Sequence, residues 1–181
     1  VYDGNTNAKV ASDCTPTVDG LVGKDTVTLE VTAVFDTKDV GEDKTVGLTY
    51  ELEDSTGNYK LADTGHQETA TASITPREIT VSITPNGGVY DGTIIPASAV
   101  LTGVLEGENV EVTLTYTGTA NDGTVYQSTD APAKAGTYTV TATITDANYT
   151  LKTPNTAEFT VNRADPGLSI SAVPDKNYGD D

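Results

Sequence analysis

Several residue types are scarce or absent in the 181-residue chain, and each absence excludes a class of protein. Tryptophan and methionine are missing, and the single cysteine, Cys14, excludes an internal disulfide and a cysteine-based metal site. Ten Lys and Arg stand against 27 Asp and Glu, which gives a net charge of −17. A surface this negative repels nucleic-acid backbones and anionic lipid headgroups. No apolar run is long enough to span a bilayer, so we expect neither nucleic-acid binding nor membrane insertion.

The residues that are abundant favour β structure. Threonine, valine and isoleucine contribute 33, 19 and 7 residues, about a third of the chain, and β-branched side chains suit strands better than helices. Apolar and polar residues alternate in short segments such as 27–35, 46–52 and 138–144, which is the pattern of half-buried antiparallel strands. Composition and alternation together predict an all-β fold.

The same short motifs occur twice in the same order. Tyr2-Asp3-Gly4 recurs 88 residues later as Tyr90-Asp91-Gly92, and a variant lies at 178–180. Asn58-Tyr59 is matched by Asn148-Tyr149 in the second half. Because motifs that recur in a fixed order indicate structural repeats, the chain is predicted to consist of tandem units.

Each unit carries several short strands separated by turn clusters, which favours one antiparallel β-sandwich per repeat. We predict a first repeat at 1–78, a second at 79–167 and the start of a third at 168–181. The alternating segments 79–83 and 168–172 either close one unit or open the next, and the pattern leaves both open. Repeats of the β-grasp type are the alternative, but they need a helix across the sheet, and no segment has helical periodicity.

The ordered motifs resemble those of bacterial YDG and MBG repeats, which are similar to bacterial Ig-like modules. The resemblance rests on the Tyr-Asp-Gly opening, the turn into a strand at 39–46, the strand 135–140, the Asn-Tyr-x-Leu step and the closing segment 74–77. It implies Ig-like repeats of large bacterial proteins that are secreted or exposed on the cell surface, adhesins among them. The expected partners are therefore neighbouring repeats of the same chain, and the expected state is a monomer.

The repeated motifs are interpreted as structural corners rather than as binding tips. In Tyr-Asp-Gly, the tyrosine is expected to pack at the sandwich edge while Asp and Gly form the turn. In Asn-Tyr, the asparagine can adopt the left-handed turn conformation that leads into the tyrosine. The residues with a predicted structural role are Tyr2, Asp3, Gly4, Phe35, Asn58, Tyr59, Pro76, Arg77, Tyr90, Asp91, Gly92, Asn148, Tyr149 and Phe159.

One acidic loop is a weak candidate for a calcium site, because calcium takes carboxylate oxygens from loops. Its residues are Asp36, Asp39, Glu42 and Asp43. Their spacing is not that of a helix-loop-helix calcium site, and a solvated acidic surface is the preferred interpretation. We therefore expect no required cofactor.

Catalysis is not expected. His66, the only histidine, lies in a polar segment without a motif that would place a nucleophile beside it. The leading hypothesis is a structural spacer, or stalk, in which each repeat contacts its neighbours along a rod. The alternative is an adhesive module that binds glycan or matrix protein through the insertion 119–130, since loops on a rigid scaffold often carry binding residues. The ligand candidates there are Asn121, Asp122, Tyr126, Gln127 and Asp130.

Overall fold

The computed structural model describes residues 1–11, 16–94 and 96–170. Regular structure in these ranges consists of β-strands with no helix, which confirms the predicted all-β class. The β-grasp alternative finds no support, because its helix is missing from the described residues. None of the described residues form a helix that is long and apolar enough to cross a membrane. Cys14 and the motif at 178–180 lie outside the described residues.

The strands follow the alternating segments closely. In chain order they are β1 (Asn7–Ala8), β2 (Thr28–Phe35), β3 (Gly41–Glu53), β4 (Thr69–Ile74), β5 (Arg77–Thr84), β6 (Gly88–Val89), β7 (Ser98–Thr102), β8 (Val112–Ala120), β9 (Val125–Ser128), β10 (Gly136–Ile144), β11 (Tyr149–Leu151) and β12 (Thr156–Asn162).

One sheet has the order β1-β2-β3-β4, and its strands pair antiparallel. Strand β2 shows why alternation is informative: Leu29, Val31 and Ala33 are partly or fully buried, whereas the residues between them are exposed. Successive side chains of a strand point to opposite faces, so this alternation places every second residue in the core.

The other sheets have the orders β6-β12-β10-β8-β9 and β11-β5-β7. They contain two short parallel pairs, β11 with β5 and β12 with β6, beside antiparallel pairs such as β10 with β12. The sheets are therefore mixed rather than purely antiparallel. Alternation could not reveal this, because it reports which face is buried and not the direction of the neighbouring strand.

The described chain forms two compact units that are discontinuous in sequence. The first comprises 1–82, 100–113 and 143–155, and the second comprises 83–99, 114–142 and 156 onwards. The predicted linear boundaries after residues 78 and 167 stay predictions.

Each unit has its own apolar core. In the first unit, the buried residues are Tyr2, Ile74, Ile79, Val110 and Tyr149. In the second unit, they are Tyr116, Ala131 and Val140, with Phe159 packed against them.

Residues 168–170 of the second alternating segment differ from the corresponding residues of the first, 79–83. Residues 79–83 lie in β5, but residues 168–170 are not in a strand, and Leu168 and Ile170 are 90% and 81% exposed. A strand needs a hydrogen-bonded neighbour to be stable. Residues 168–170 have no such neighbour in the described chain, which explains why the predicted strand is not observed there.

Candidate functional site

The most constrained polar cluster of the first unit surrounds Tyr2. The Tyr2 side chain is 2% exposed, although it lies one residue from the start of the chain as given. Its backbone N–H donates to the carbonyl oxygen of Thr75 over 2.8 Å, which attaches the segment to the end of β4. Its ring meets the ring of Tyr149 edge to face, with centroids 5.5 Å apart and an interplanar angle of 76°. This arrangement is one of the preferred geometries of aromatic pairs.

Glu108 accepts hydrogen bonds from both tyrosines. The Tyr2 hydroxyl donates to Oε1 over 2.6 Å, and the Tyr149 hydroxyl donates to Oε2. Lys38 completes the cluster, because its Nζ lies 2.9 Å from Oε1 of Glu108 and 5.7 Å from the centroid of the Tyr2 ring. We call Tyr2, Lys38, Glu108 and Tyr149 the tyrosine joint.

The electrostatics of the tyrosine joint favour one protonation state. Hydrogen bonds from Tyr149, Tyr2 and Lys38 lower the pKa of Glu108 to about 2. The bond to Glu108 raises the pKa of Tyr2, and burial, followed by the bond to Glu108, raises the pKa of Tyr149. The carboxylate is therefore ionised and both phenols are protonated over the ordinary pH range. A carboxylate with such a low pKa is a poor general base, so this arrangement is suited to holding residues together rather than to proton transfer.

Asn148 adds a second set of contacts beside the tyrosine joint. Its Oδ1 accepts from the backbone N–H of Val40 over 2.9 Å, and its Nδ2 donates to Asp39 over 3.1 Å. Its backbone carbonyl accepts from the N–H of Arg77 over 2.9 Å, and the following residues pair with β5 in parallel. Asn148 thus fixes the turn at 39–40 and the start of β5 at the same time.

Two family models match the chain. Residues 1–67 match the YDG domain, and residues 87–165 match the MBG domain. The chain carries a YDG domain followed by an MBG domain. The YDG domain contributes Tyr2 and Lys38 to the tyrosine joint, and the MBG domain contributes Glu108 and Tyr149. No curated protein and no solved structure matches the chain significantly.

The two Tyr-Asp-Gly turns have the same backbone geometry. Asp3 accepts from the N–H of Asn5, and Asp91 accepts from both the N–H and the hydroxyl of Thr93. Gly4 and Gly92 have φ values of 83° and 85°, a region that side chains with a Cβ rarely adopt. Each Asp therefore binds the amide two residues later, and each Gly allows the turn.

The tyrosines of these two turns differ in their surroundings. Tyr90 in the MBG domain is 46% exposed, whereas Tyr2 in the YDG domain is 2% exposed. The Tyr90 hydroxyl has no hydrogen-bond partner among the described residues. The Tyr90 side chain is thus much less covered than that of Tyr2, and its packing at a sandwich edge stays a prediction.

The other residues predicted to be structural lie in separate places. Tyr59 is half-buried: its hydroxyl donates to Asp25 over 2.8 Å and accepts from the N–H of Val22 over 2.9 Å. Asn58 is exposed in the turn before it. Thus Asn58-Tyr59 fixes a local segment of the YDG domain, whereas Asn148-Tyr149 joins segments that are distant in sequence.

The remaining structural predictions concern core and connecting residues. Phe35 packs against the core of the first unit, and Phe159 packs against Tyr138 in the second unit with ring centroids 5.6 Å apart. Pro76 connects β4 to β5, and the Arg77 side chain donates to the carbonyl of Gly103 over 2.9 Å.

The four calcium candidates are not assembled into a metal site. Asp36 pairs with Lys44 over 3.1 Å, Asp39 accepts from Asn148, and Glu42 and Asp43 are exposed at the start of β3. No group of three or more acidic, His or Cys side chains in the described ranges is arranged to hold a metal ion. The weak calcium prediction is therefore not supported by the geometry.

The ligand candidates of 119–130 lie on a hairpin rather than on an irregular loop. Asn121 and Asp122 belong to the turn between β8 and β9, and Tyr126 and Gln127 are in β9. A hydrogen bond from the N–H of Ala120 to the carbonyl of Thr124 closes the turn over 2.9 Å.

Two interactions hold the side chains of this hairpin. Asp122 pairs with Lys134 over 2.8 Å, and this bond is the main reason why the pKa of Asp122 is well below its usual range. The Tyr126 hydroxyl donates to the carbonyl of Asp130 over 2.9 Å, and its ring packs edge to face on Tyr138. The side chains of Asp122 and Tyr126 in the hairpin are thus both held by partners.

Two members of the tyrosine joint were missed by the sequence interpretation. Glu108 lies in the polar segment 106–109, which has the composition of a solvated turn, and Lys38 lies in a similar segment. Neither belongs to a repeated motif. Tyr2 and Tyr149 each belong to a motif that occurs twice in the sequence, and this recurrence was the available signal. It singles out the two tyrosines but does not identify the charged residues that bind them.

Proposed function

We propose that the chain is a non-catalytic structural spacer, or stalk, of a large bacterial protein that is secreted or exposed on the cell surface and is adhesin-like. The observation that supports this proposal is the tyrosine joint, because its groups come from both the YDG domain and the MBG domain. In such a protein, the role of each repeat is to fix the position of the neighbouring repeat.

The composition of the joint supports a holding role. Tyr2 and Tyr149 have hydroxyls that bind one carboxylate, and hydrogen bonds to a charged acceptor are roughly twice as strong as neutral ones. The rings also remove a large apolar area from water. All four residues lie in the first compact unit, so the joint holds segments of both domain matches in one folded body, whereas a flexible linker would leave them free to move.

A distance measurement tests the spacer proposal. Spin labels are placed at the exposed positions Ser55 of the YDG domain and Glu111 of the MBG domain, with Cys14 changed to Ser. We expect a narrow distance distribution in the parent chain and a broad one after Tyr2→Ala. Tyr90→Ala is the matched control and should leave the distribution narrow. A broad distribution in the parent chain would contradict the spacer proposal.

The second candidate function is adhesive binding of glycan or matrix protein at the hairpin 119–130. It is favoured by a groove of about 690 Å³ that is lined by Tyr126, Asp130 and Tyr138 among others. The groove combines aromatic rings with polar groups, which is the composition of many small-ligand sites.

A binding assay against arrayed glycans and extracellular-matrix proteins tests this second function. If the hairpin binds, Tyr126→Phe and Asp130→Ala should each weaken the interaction at least about tenfold, a loss of about 1.4 kcal/mol. Tyr50→Phe, which lies outside the hairpin, should have no effect. The absence of binding across the array would remove this candidate and leave the spacer proposal in place.

A further inference from the structure

The surface around Tyr90 has the same framework as the surface around Tyr2. The N–H of Tyr2 donates to the carbonyl of Thr75, and the N–H of Tyr90 donates to the carbonyl of Asn162, each over 2.8 Å. The turns that follow both tyrosines also share their backbone geometry. Each tyrosine is therefore attached to the end of a strand, Tyr2 to the end of β4 and Tyr90 to the end of β12.

Each domain also contains an ion pair between a lysine and an aspartate. In the YDG domain, Lys44 pairs with Asp36 over 3.1 Å. In the MBG domain, Lys134 pairs with Asp122 over 2.8 Å. The backbone bonds beside these pairs correspond as well: the N–H of Asp36 donates to the carbonyl of Thr45, and the N–H of Asn121 donates to the carbonyl of Ala135. The two domains thus share these features, but Tyr2 is 2% exposed and Tyr90 is 46% exposed.

The open surface around Tyr90 offers the groups that the tyrosine joint uses. The Tyr90 ring lines a shallow depression of about 340 Å³ together with Asp122, Lys134 and Arg163. Arg163 forms no ion pair with any described residue. A free phenol hydroxyl beside a free guanidinium is the chemistry that binds a carboxylate, as Tyr2 and Lys38 bind Glu108.

The segment that follows this surface is also uncovered. In the first unit, β5 starts two residues after Thr75 and pairs in parallel with β11, the strand that begins at Tyr149. The corresponding alternating segment includes Leu168 and Ile170, which are 90% and 81% exposed. A large exposed apolar residue does not by itself indicate a partner. A strand-like segment that has no neighbouring strand among the described residues, and that follows the Tyr90 surface in the sequence, does indicate one.

We propose that the surface formed by Tyr90, Arg163 and the segment 168–170 is the docking site for a further MBG-type domain that presents a Glu-Tyr pair equivalent to Glu108 and Tyr149. The carboxylate of that domain accepts from the Tyr90 hydroxyl and pairs with Arg163. Its tyrosine packs edge to face on the Tyr90 ring, and its strand equivalent to β11 pairs with 168–170. This inference rests on the proposed spacer function and specifies which residues join successive domains.

The test uses an extended chain in which residues 85–173 are repeated once after residue 173, so that the segment 168–170 stays between the first domain and the added one, with Tyr90→Phe in the second copy. The remaining Tyr90 then reports on docking through its rate of nitration by tetranitromethane, which is read by peptide mass spectrometry. We expect the rate to fall at least about tenfold relative to the parent chain and to approach the rate of the buried Tyr2. An unchanged rate in a folded extended chain would overturn the proposal.

A second variant separates specific docking from simple crowding by the added domain. Glu108→Gln in the second copy removes the charged acceptor and should restore most of the nitration of Tyr90. Glu106 is an exposed acidic residue close to Glu108 in the sequence. Glu106→Gln in the second copy is therefore the matched control, and it should leave Tyr90 protected from nitration. Equal nitration rates in the two variants would overturn the assignment of the Glu-Tyr pair.

A failure of the docking proposal can be distinguished from a failure of the spacer proposal. The spin-label distances between Ser55 and Glu111 report on the joint around Tyr2 and do not depend on Tyr90. A narrow distance distribution together with a reactive Tyr90 in the extended chain would reject only the docking site.

Discussion

The two Tyr-Asp-Gly turns of this chain share a hydrogen bond to Asp from the amide two residues later and a glycine with a φ of 83° or 85°, but their tyrosines have opposite surroundings. Tyr2 is buried because Glu108, Lys38 and Tyr149 close over it, whereas Tyr90 is 46% exposed. The difference teaches that the motif itself specifies a turn and an attachment to the end of a strand. Burial of the tyrosine comes from residues outside the motif, among them Glu108, which lies 106 positions away in the sequence.

The largest expected contrast between the two turns is in stability. Tyr2→Ala should reduce the free energy of unfolding by about 3–5 kcal/mol, because it deletes a buried aromatic side chain. Tyr90→Ala should change it by no more than about 0.5 kcal/mol, as is usual at exposed positions. Urea unfolding of both variants measures the contrast. Similar losses for the two variants would show that the turns are energetically equivalent, contrary to the structure.

Removal of the charge at Glu108 should have a smaller effect than Tyr2→Ala. Glu108→Gln keeps the shape of the side chain but weakens the bonds from Tyr2, Tyr149 and Lys38, so we expect a lower melting temperature. Glu106→Gln, with an exposed carboxylate nearby, should leave the melting temperature almost unchanged. Equal melting temperatures for the two variants would show that Glu108 does not stabilise the tyrosine joint.

The pH dependence of stability should distinguish Glu108 from the other carboxylates. Its pKa is about 2 in the folded chain and about 4.3 in an unfolded chain. A lowered pKa means that the contribution is complete above the unfolded value and is lost as the pH falls toward 2. The difference in melting temperature between the parent chain and Glu108→Gln should therefore be constant above about pH 5 and shrink between pH 5 and pH 2. A difference that grows on acidification would contradict this sign.

The smallest expected contrast concerns the glycines of the two turns. Gly4→Ala and Gly92→Ala should each cost about 1–2 kcal/mol, because both glycines have φ values near 84° that an alanine adopts with strain. Gly4→Ala should cost more, since its new Cβ would lie 3.0 Å from Cδ1 of Leu105, whereas Gly92 has open space around it. Thermal melts of the two variants compare them directly. A larger loss at Gly92 would argue against the closed packing around Gly4.

Local patterns predicted much of the fold and little of the tyrosine joint. The strands β2, β3, β8, β10 and β12 follow from alternation, because one face of each strand is buried. The short strands β1 and β6 span two residues each, which is too short to show an alternation of apolar and polar residues.

The partners of Tyr2 could not be predicted, because a side chain contact between residues 2 and 108 depends on tertiary packing. Glu108 has the local sequence of a solvated turn, and its burial between two tyrosines is decided by how the strands pair. The parallel pairing of β11 with β5 could not be predicted either, because neither segment alone specifies its partner strand.

A double-mutant cycle tests the central claim that the Tyr2 hydroxyl and Glu108 hold the YDG and MBG domains together. The free energies of unfolding are measured for Tyr2→Phe, Glu108→Gln and the combination, and the same cycle is run with Tyr90→Phe in place of Tyr2→Phe. We predict that the Tyr2 cycle is not additive, with the double variant losing less than the sum of the single variants. The Tyr90 cycle should be additive within about 0.5 kcal/mol, as expected for independent sites. Additivity in the Tyr2 cycle would contradict the account.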